Sequence, residues 1–179
     1  MNVPEFLETP RLFLRKPRCE DALLMFQAYA QDPAVTRYSM WRPHADISDS
    51  HAAIDRFLVC WESQISFVWF LFVRETNELI GSISARKEDQ GFNIGYLLAR
   101  AYWGRGLMPE AIMSVVRWAF TEPWVAFVRA YCDKDNSASA RALEKAGFIK
   151  DADLLGYSVH PNISPEPRDC YSYMIPRST

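Results

Sequence analysis

The chain has 179 residues, a formal charge of −2, and 49% apolar and 14% aromatic residues. That is the size and core content of a single domain spanning 1–179, and the near-neutral balance removes the electrostatic case for a nucleic-acid partner. The longest apolar run, residues 67–73, is far below the ~20 needed to cross a bilayer, so no membrane partner is expected.

Residues 11–15 alternate polar and apolar side chains, as a half-buried strand does, and Pro17 ends the run. Residues 20–30 place Ala22, Leu23, Phe26 and Ala30 on one helical side, and Asp32-Pro33 closes that helix. Residues 36–48 have no clear period and read as a loop or short turns holding Trp41, Pro43 and His44; residues 49–62 return to helix. The apolar run 67–73 reads as a strand buried on both faces, followed by a hairpin turn at 75–78. Residues 79–86 and 92–98 form the third and fourth strands. Helix 109–121 has Ile112, Val115, Val116, Ala119 and Phe120 on its apolar face, with Pro109 in its first turn. A strand over 126–132, a helix over 136–146 stopped by Gly147, and strands over 148–155 and 170–175 complete the chain, with a proline-rich loop at 160–167. The expected fold is α+β (mixed α/β): one mostly antiparallel sheet of about seven strands with helices on both faces.

The four cysteines, Cys19, Cys60, Cys132 and Cys170, are isolated and lack C-x-x-C spacing, so no metal is expected. They suit a reducing cytoplasmic setting, as does the charged stretch Glu5, Glu8, Arg11, Arg15 and Lys16, which holds no signal-peptide core.

The most informative segment is Tyr102-Trp103-Gly104-Arg105-Gly106-Leu107-Met108-Pro109-Glu110-Ala111-Ile112. A strand ends, a turn with two glycines follows, and a helix begins. Glycines let a backbone approach a ligand closely, and a helix start offers unpaired N–H groups and the positive end of its dipole. That combination suits a pyrophosphate. A dinucleotide fingerprint would need a third glycine where Pro109 stands, and the Gly-Lys-Ser/Thr of a nucleotide-triphosphate loop is absent.

Five pieces of sequence widen the comparison. They are Leu7 to Arg15 with Glu20-Asp21-Ala22; Ile94-Gly95-Tyr96-Leu97-Leu98; Tyr102 to Gly106; Glu110-Ala111; and Asn136-Ser137-Ala138-Ser139 with Leu143 to Phe148. In order and spacing they resemble the GNAT acyl-CoA-dependent N-acetyltransferases of the RimJ/RimL type, over residues 7–148, with the two last strands and their loop in 149–176. The resemblance implies a sheet splayed after the fourth strand, with acetyl-CoA as co-substrate and no metal. Its pantetheine would lie along Leu97 and Leu98, and its pyrophosphate on Trp103, Gly104, Arg105, Gly106, Leu107 and Met108. Trp103 stands where the family has Gln or Arg, and Met108 where a small residue is usual.

The resemblance also implies Leu98 N–H as oxyanion donor, Asn136 on the pantetheine side, and Ser139 near the sulfur as general acid or positioning group. Local readings stand beside these: Asn136 as a helix cap, Ser139 as a packing residue, and Glu110 as a favourable first-turn acid. The family's general-acid tyrosine falls on Leu143 and its strand-four glutamate on Asn93, so neither role transfers. Trp41 and His44 are the candidate acceptor contacts, with His160 as a further loop imidazole. The implied function is acetyl transfer by direct attack in a ternary complex onto a primary amine, foremost a protein N-terminus. A small-molecule amine (drug or toxin) and a non-catalytic acyl-CoA-binding module are the alternatives, in a monomer or homodimer.

Overall fold

The apolar run near the middle of the chain dictates the layering. Strand β3 (Ser66–Val73) sends Phe67, Trp69 and Leu71 into one core and Val68, Phe70 and Phe72 into another, because successive side chains leave opposite faces. The computed structural model describes residues 1–177. β3 is flanked by β1 (Phe6–Glu8) and β2 (Leu12–Arg15) on one side and by β4 (Leu79–Glu88) and β5 (Gly91–Leu98) on the other. Beyond β5 come β6 (Phe127–Asp133), β8 (Pro167–Pro176) and, at the edge, β7 (Ile149–Val159). All neighbours are antiparallel except β5 and β6.

Among the described residues, five α-helices complete the layers: α1 (Ala22–Met25), α2 (Pro33–Thr36), α3 (Ile47–Glu62), α4 (Leu107–Ala119) and α5 (Ser137–Lys145). Helices α4 and α5 bury their apolar stripes with Ile80, Ile83, Phe92 and Ile94 on one face of the sheet. Helices α1 to α3 pack on the other face against Val68, Phe70, Phe72 and Leu79. Trp61, Phe67, Trp69, Phe92 and Trp118 stack edge-on and tilted, with centroids 5.0–6.4 Å apart, and fix the position of α4 over the sheet.

The mixed α/β reading holds, with three corrections. The sheet has eight strands, not seven, because Phe6–Glu8 pairs with β2. The segment expected as one helix over 20–30 is a 3-10 turn, α1 and then a wide π turn over Phe26–Ala30. Asp32-Pro33 ends that stretch but also starts α2, since Asp32 accepts from Ala34 N–H (2.8 Å) and Pro33 needs no acceptor in the first turn.

The feature that positions the site is the parting of β5 from β6. Their pairing runs from Gly91–Phe127 to Ile94–Ala130 and stops, although β5 continues to Leu98 and β6 to Asp133. This is the expected splay after the fourth predicted strand. At its closed end the two backbones are so near that a Cβ on Gly91 would lie 2.2 Å from Phe127 O. Gly91→Ala should therefore wedge the strands apart and cost about 1–3 kcal/mol, seen as a lower urea midpoint at unchanged slope.

Candidate active site

The turn between β5 and α4 is shaped by its glycines. Gly104 and Gly106 have φ of 75° and 73°, a left-handed conformation that strains any other residue, and Gly106 is the N-cap of α4. No backbone carbonyl of the turn accepts from the N–H groups of Gly104, Arg105 or Gly106, and no heavy atom lies within 4 Å of a Cβ built on Gly104. With the first-turn N–H groups of Leu107 and Met108, they form an open row of donors at the positive end of α4. The side chains of Leu107 and Met108 turn into the core, Met108 being 5% exposed, so the bulk at this position leaves the row clear. These residues fit a pyrophosphate.

A clamp from the other edge of the sheet holds this turn. Arg11 donates to Arg105 O (2.9 Å), to Gly106 O (3.1 Å) and, through Nε, to Glu110 Oε2 (2.6 Å). Glu110 also accepts from Arg11 N–H (2.9 Å) and Thr9 Oγ1 (2.6 Å). The guanidinium thus takes the carbonyl side of the turn and leaves the amide side free. Partial burial pushes the Glu110 carboxyl up, yet the hydrogen bonds from Thr9 and Arg11 and the Arg11 charge outweigh it and hold the group below its ordinary value. Glu110 is more than a favourable first-turn acid. Thr9 and Arg11 were missed as site-forming residues because their partner is some hundred positions away.

Within the splay, hydrogen-bond phase decides which groups face the gap. Ala99 N–H donates to Ile80 O (2.7 Å), which makes Ile80–Ala99 and Ser82–Leu97 the bonded pairs between β4 and β5. The N–H groups of Tyr96 and Leu98 consequently point away from β4, toward β6 and the gap. Leu97 differs from Leu98. Its amide is used by β4 and its side chain joins the α1–α3 face. Leu98 O accepts from the Trp103 indole (2.6 Å), which ties the end of β5 to the phosphate turn. Arg105 lies over the Tyr102 ring, 5.0 Å from its centroid, on the exposed side of the turn.

On the β6 side, Ser139 and Asn136 share the first turn of α5. Asn136 is the cap: its Oδ1 accepts from Ser139 N–H at 3.2 Å. Ser139 Oγ is 2.8 Å from the hydroxyl of Tyr96, which reaches across from β5 and also donates to Ser139 O (3.2 Å). Burial pushes the Tyr96 phenol well above its usual range, so it keeps its proton. Tyr96 is a side chain of the splay that residue-by-residue reading did not single out, although it lies inside a segment that carries the resemblance. Leu143 is fully buried, and Asn93 donates to Glu88 Oε1 (3.3 Å). Burial pushes the Cys132 thiol up to about 12, so it is no thiolate at neutral pH.

The acceptor candidates lie on the α1–α3 face. Trp41 packs on His44 with ring centroids 4.9 Å apart, and His44 Nδ1 is 2.7 Å from Ser50 Oγ. Burial lowers the His44 pKa, so the ring is neutral at pH 7. His160 is 6% exposed, with Nε2 3.5 Å from the buried Asp133 carboxylate. Arg168 holds that carboxylate at 2.6 Å. Among the described residues, no group of three or more His, Cys, Asp or Glu side chains is arranged to hold a metal ion. Among these same described residues, no helix is long and apolar enough to cross a membrane.

The chain is 32% identical to the uncharacterized N-acetyltransferase YoaA of Bacillus subtilis (strain 168), over 96% of this chain and 97% of that protein. Its fold matches a Salmonella typhimurium acetyltransferase that modifies the N-terminal serine of the 50S ribosomal subunit protein L7/L12, with a TM-score of 0.85 and 15% identity over 97% of this chain and all of that one. It also matches RimL, the ribosomal L7/L12 α-N-protein acetyltransferase, in complex with coenzyme A, with a TM-score of 0.86 and 16% identity over 96% and 98% of the two chains. The acetyltransferase (GNAT) domain model covers residues 11–149, and the chain belongs to that family of N-acetyltransferases.

Proposed function

We propose that this enzyme acetylates the terminal amine of a polypeptide, using the row of amides from Gly104 to Met108 to hold the pyrophosphate of acetyl-CoA and the gap between β5 and β6 to hold its thioester arm. One observation carries the reading: the free amides of the phosphate turn, the inward N–H of Leu98 and the Tyr96–Ser139 hydroxyl pair all border the same splay. The terminal-amine acceptor is supported by the fold shared with two proteins that act on ribosomal L7/L12.

Acetyl-CoA bound there supplies the acyl group that passes to the amine with release of the thiol. Leu98 N–H is aimed to receive the negative charge that develops on the carbonyl oxygen. Ser139 Oγ, backed by the Tyr96 phenol, holds a proton for the departing sulfur. Asn136 stays with its cap and sets the direction of Ser139. Trp41 and His44 wall the acceptor side. A terminal amine, with pKa ~7.7–8.0, is partly neutral at pH 7, which eases the need for a strong base where Asn93 replaces a carboxylate. A protonated Cys132 favours direct transfer over a covalent acyl-enzyme.

Calorimetry with coenzyme A tests the cradle. Gly106→Glu should abolish the binding heat by strain at positive φ and by charge against phosphate; unchanged affinity would remove the assignment. Ser139→Ala should lower kcat by about tenfold to a hundredfold with coenzyme A affinity retained, and Tyr96→Phe should lower it less. Equal rates in both variants would take the hydroxyl pair out of the reaction. Glu110→Gln should weaken coenzyme A binding through the turn and destabilise the fold by about 1–3 kcal/mol at pH 7. Because the folded carboxyl titrates below its unfolded value of ~4.3, this stabilisation is present above that pH and is lost as pH falls through the folded pKa. Urea titrations of the two proteins should therefore converge in acid.

A further inference from the structure

The splay has two lips, and each is a connection that carries the chain from a strand into a helix. Arg11 braces the one between β5 and α4. The other, from β6 into α5 through residues 133–136, has a brace of its own. Asp133 O accepts from Asn136 N–H (2.9 Å) and Asp133 Oδ1 from Asp135 N–H (2.9 Å), so the turn folds back on the last residue of β6. Arg168 of β8 grips this turn at both ends. Its Nε donates to Asp133 Oδ2 (2.6 Å), and its Nη2 donates to Asp133 Oδ1 (3.2 Å) and to Asp135 Oδ2 (2.6 Å).

The two carboxylates have different work. The Asp133 side chain is wholly buried, and a buried carboxylate needs donors on both oxygens. Arg168 and Asp135 N–H supply them, with His160 Nε2 3.5 Å from Oδ2. The Asp135 side chain is 71% exposed and has water to solvate it. Its bond to Arg168 therefore adds little to solvation, but it fixes the far end of the turn against β8. From there to the splay the path is short. Asn136 caps α5 and accepts from Ser139 N–H (3.2 Å), and Ser139 Oγ lies 2.8 Å from the Tyr96 hydroxyl. Between Asp133 and Ser139 each of these bonds spans at most three residues. Only a planar fork can hold both carboxylates at a set angle; a lysine ammonium is a single point charge on a flexible stem.

We propose that Arg168 is a positioning residue for acetyl transfer: by fixing how α5 leaves β6, it holds the Ser139 hydroxyl against Tyr96 at the edge of the gap. The inference rests on the role proposed above for Ser139 and names the residue that aims it. The two lips are thus held in different ways. Arg11 takes main-chain carbonyls and frees amides for a phosphate, while Arg168 takes carboxylates and orients a hydroxyl.

The test is a double-mutant cycle. The native protein is compared with Arg168→Lys, Asp135→Ala, Ser139→Ala and the two combinations of Ser139→Ala with the others. The acceptor is whichever amine the native protein turns over fastest in a panel of peptide N-termini and small primary amines. Coenzyme A affinity is measured by calorimetry alongside. Arg168→Lys should lower kcat about fivefold to twentyfold and Asp135→Ala about threefold, with coenzyme A affinity and the KM for acetyl-CoA within about twofold. In the Ser139→Ala background each should lower kcat by less than about twofold, because the hydroxyl they aim is gone. Asp135→Ala leaves the buried pair intact, so it decides the matter even where Arg168→Lys fails to fold. Native kcat in both single variants would overturn the proposal, as would equal falls with and without the Ser139 hydroxyl. A matching loss of coenzyme A affinity would do the same, since it marks opening of the whole splay. If Ser139→Ala alone leaves kcat unchanged, the role of Ser139 fails first and takes the proposal with it. A loss in Ser139→Ala with silent Arg168→Lys and Asp135→Ala removes the proposal alone.

Discussion

Backbone groups inside a protein need partners, and the upper halves of β5 and β6 lose theirs after Ile94 and Ala130. The rest of the molecule keeps that loss tolerable. β4 holds β5 from outside through Leu98, and β8 holds β6 through Asp133, so neither strand can swing to close the gap. Helices α4 and α5 start beside the freed ends and cover one face. The side chain that spans the gap, Tyr96, ends in a hydroxyl that meets a hydroxyl and a carbonyl on α5. The cleft is thus a break in one ladder, enforced by intact ladders on either side.

The phosphate turn relies on a division of labour between the two poles of the peptide group. The guanidinium of Arg11 collects carbonyl oxygens from consecutive residues while Glu110 fixes the guanidinium, so the amides of the turn are left pointing outward. Arg11 is half-exposed and the pair alone would contribute little. Its effect comes from the added bonds to Thr9, the Arg11 amide and the two carbonyls, which convert a surface ion pair into a brace between β2 and α4. Charge on Glu110 at the helix start is neutralised by Arg11, which keeps an anionic group from competing with an incoming phosphate.

Local pattern was enough for the elements whose burial is decided along the chain. The run that becomes β3, the stripe of α4, and the Gly147 stop all follow from spacing and φ preference, and Gly147 does adopt φ of 86°. The shape of the turn before α4 was legible for the same reason, since glycines before a helix constrain backbone directly. What stayed hidden was set by long-range geometry. The strand Phe6–Glu8 has three residues and exists only by pairing with β2. The partners Arg11 and Glu110, Tyr96 and Ser139, and Arg168 and Asp133 lie tens of positions apart or more, and no periodicity links them. Leu97 and Leu98 are chemically alike, and only the hydrogen-bond phase of β4 with β5 separates their roles.

The free amides of the phosphate turn have one last implication, for how such a protein can change. A grip made of main-chain donors carries no side-chain identity that a substitution could erase, provided the two left-handed positions remain glycine. The candidate acceptor side is formed instead by side chains such as Trp41 and His44, each replaceable in a single step. Inheritance should therefore preserve the donor while acceptor preference drifts, so that descendants of one such scaffold come to modify different amines.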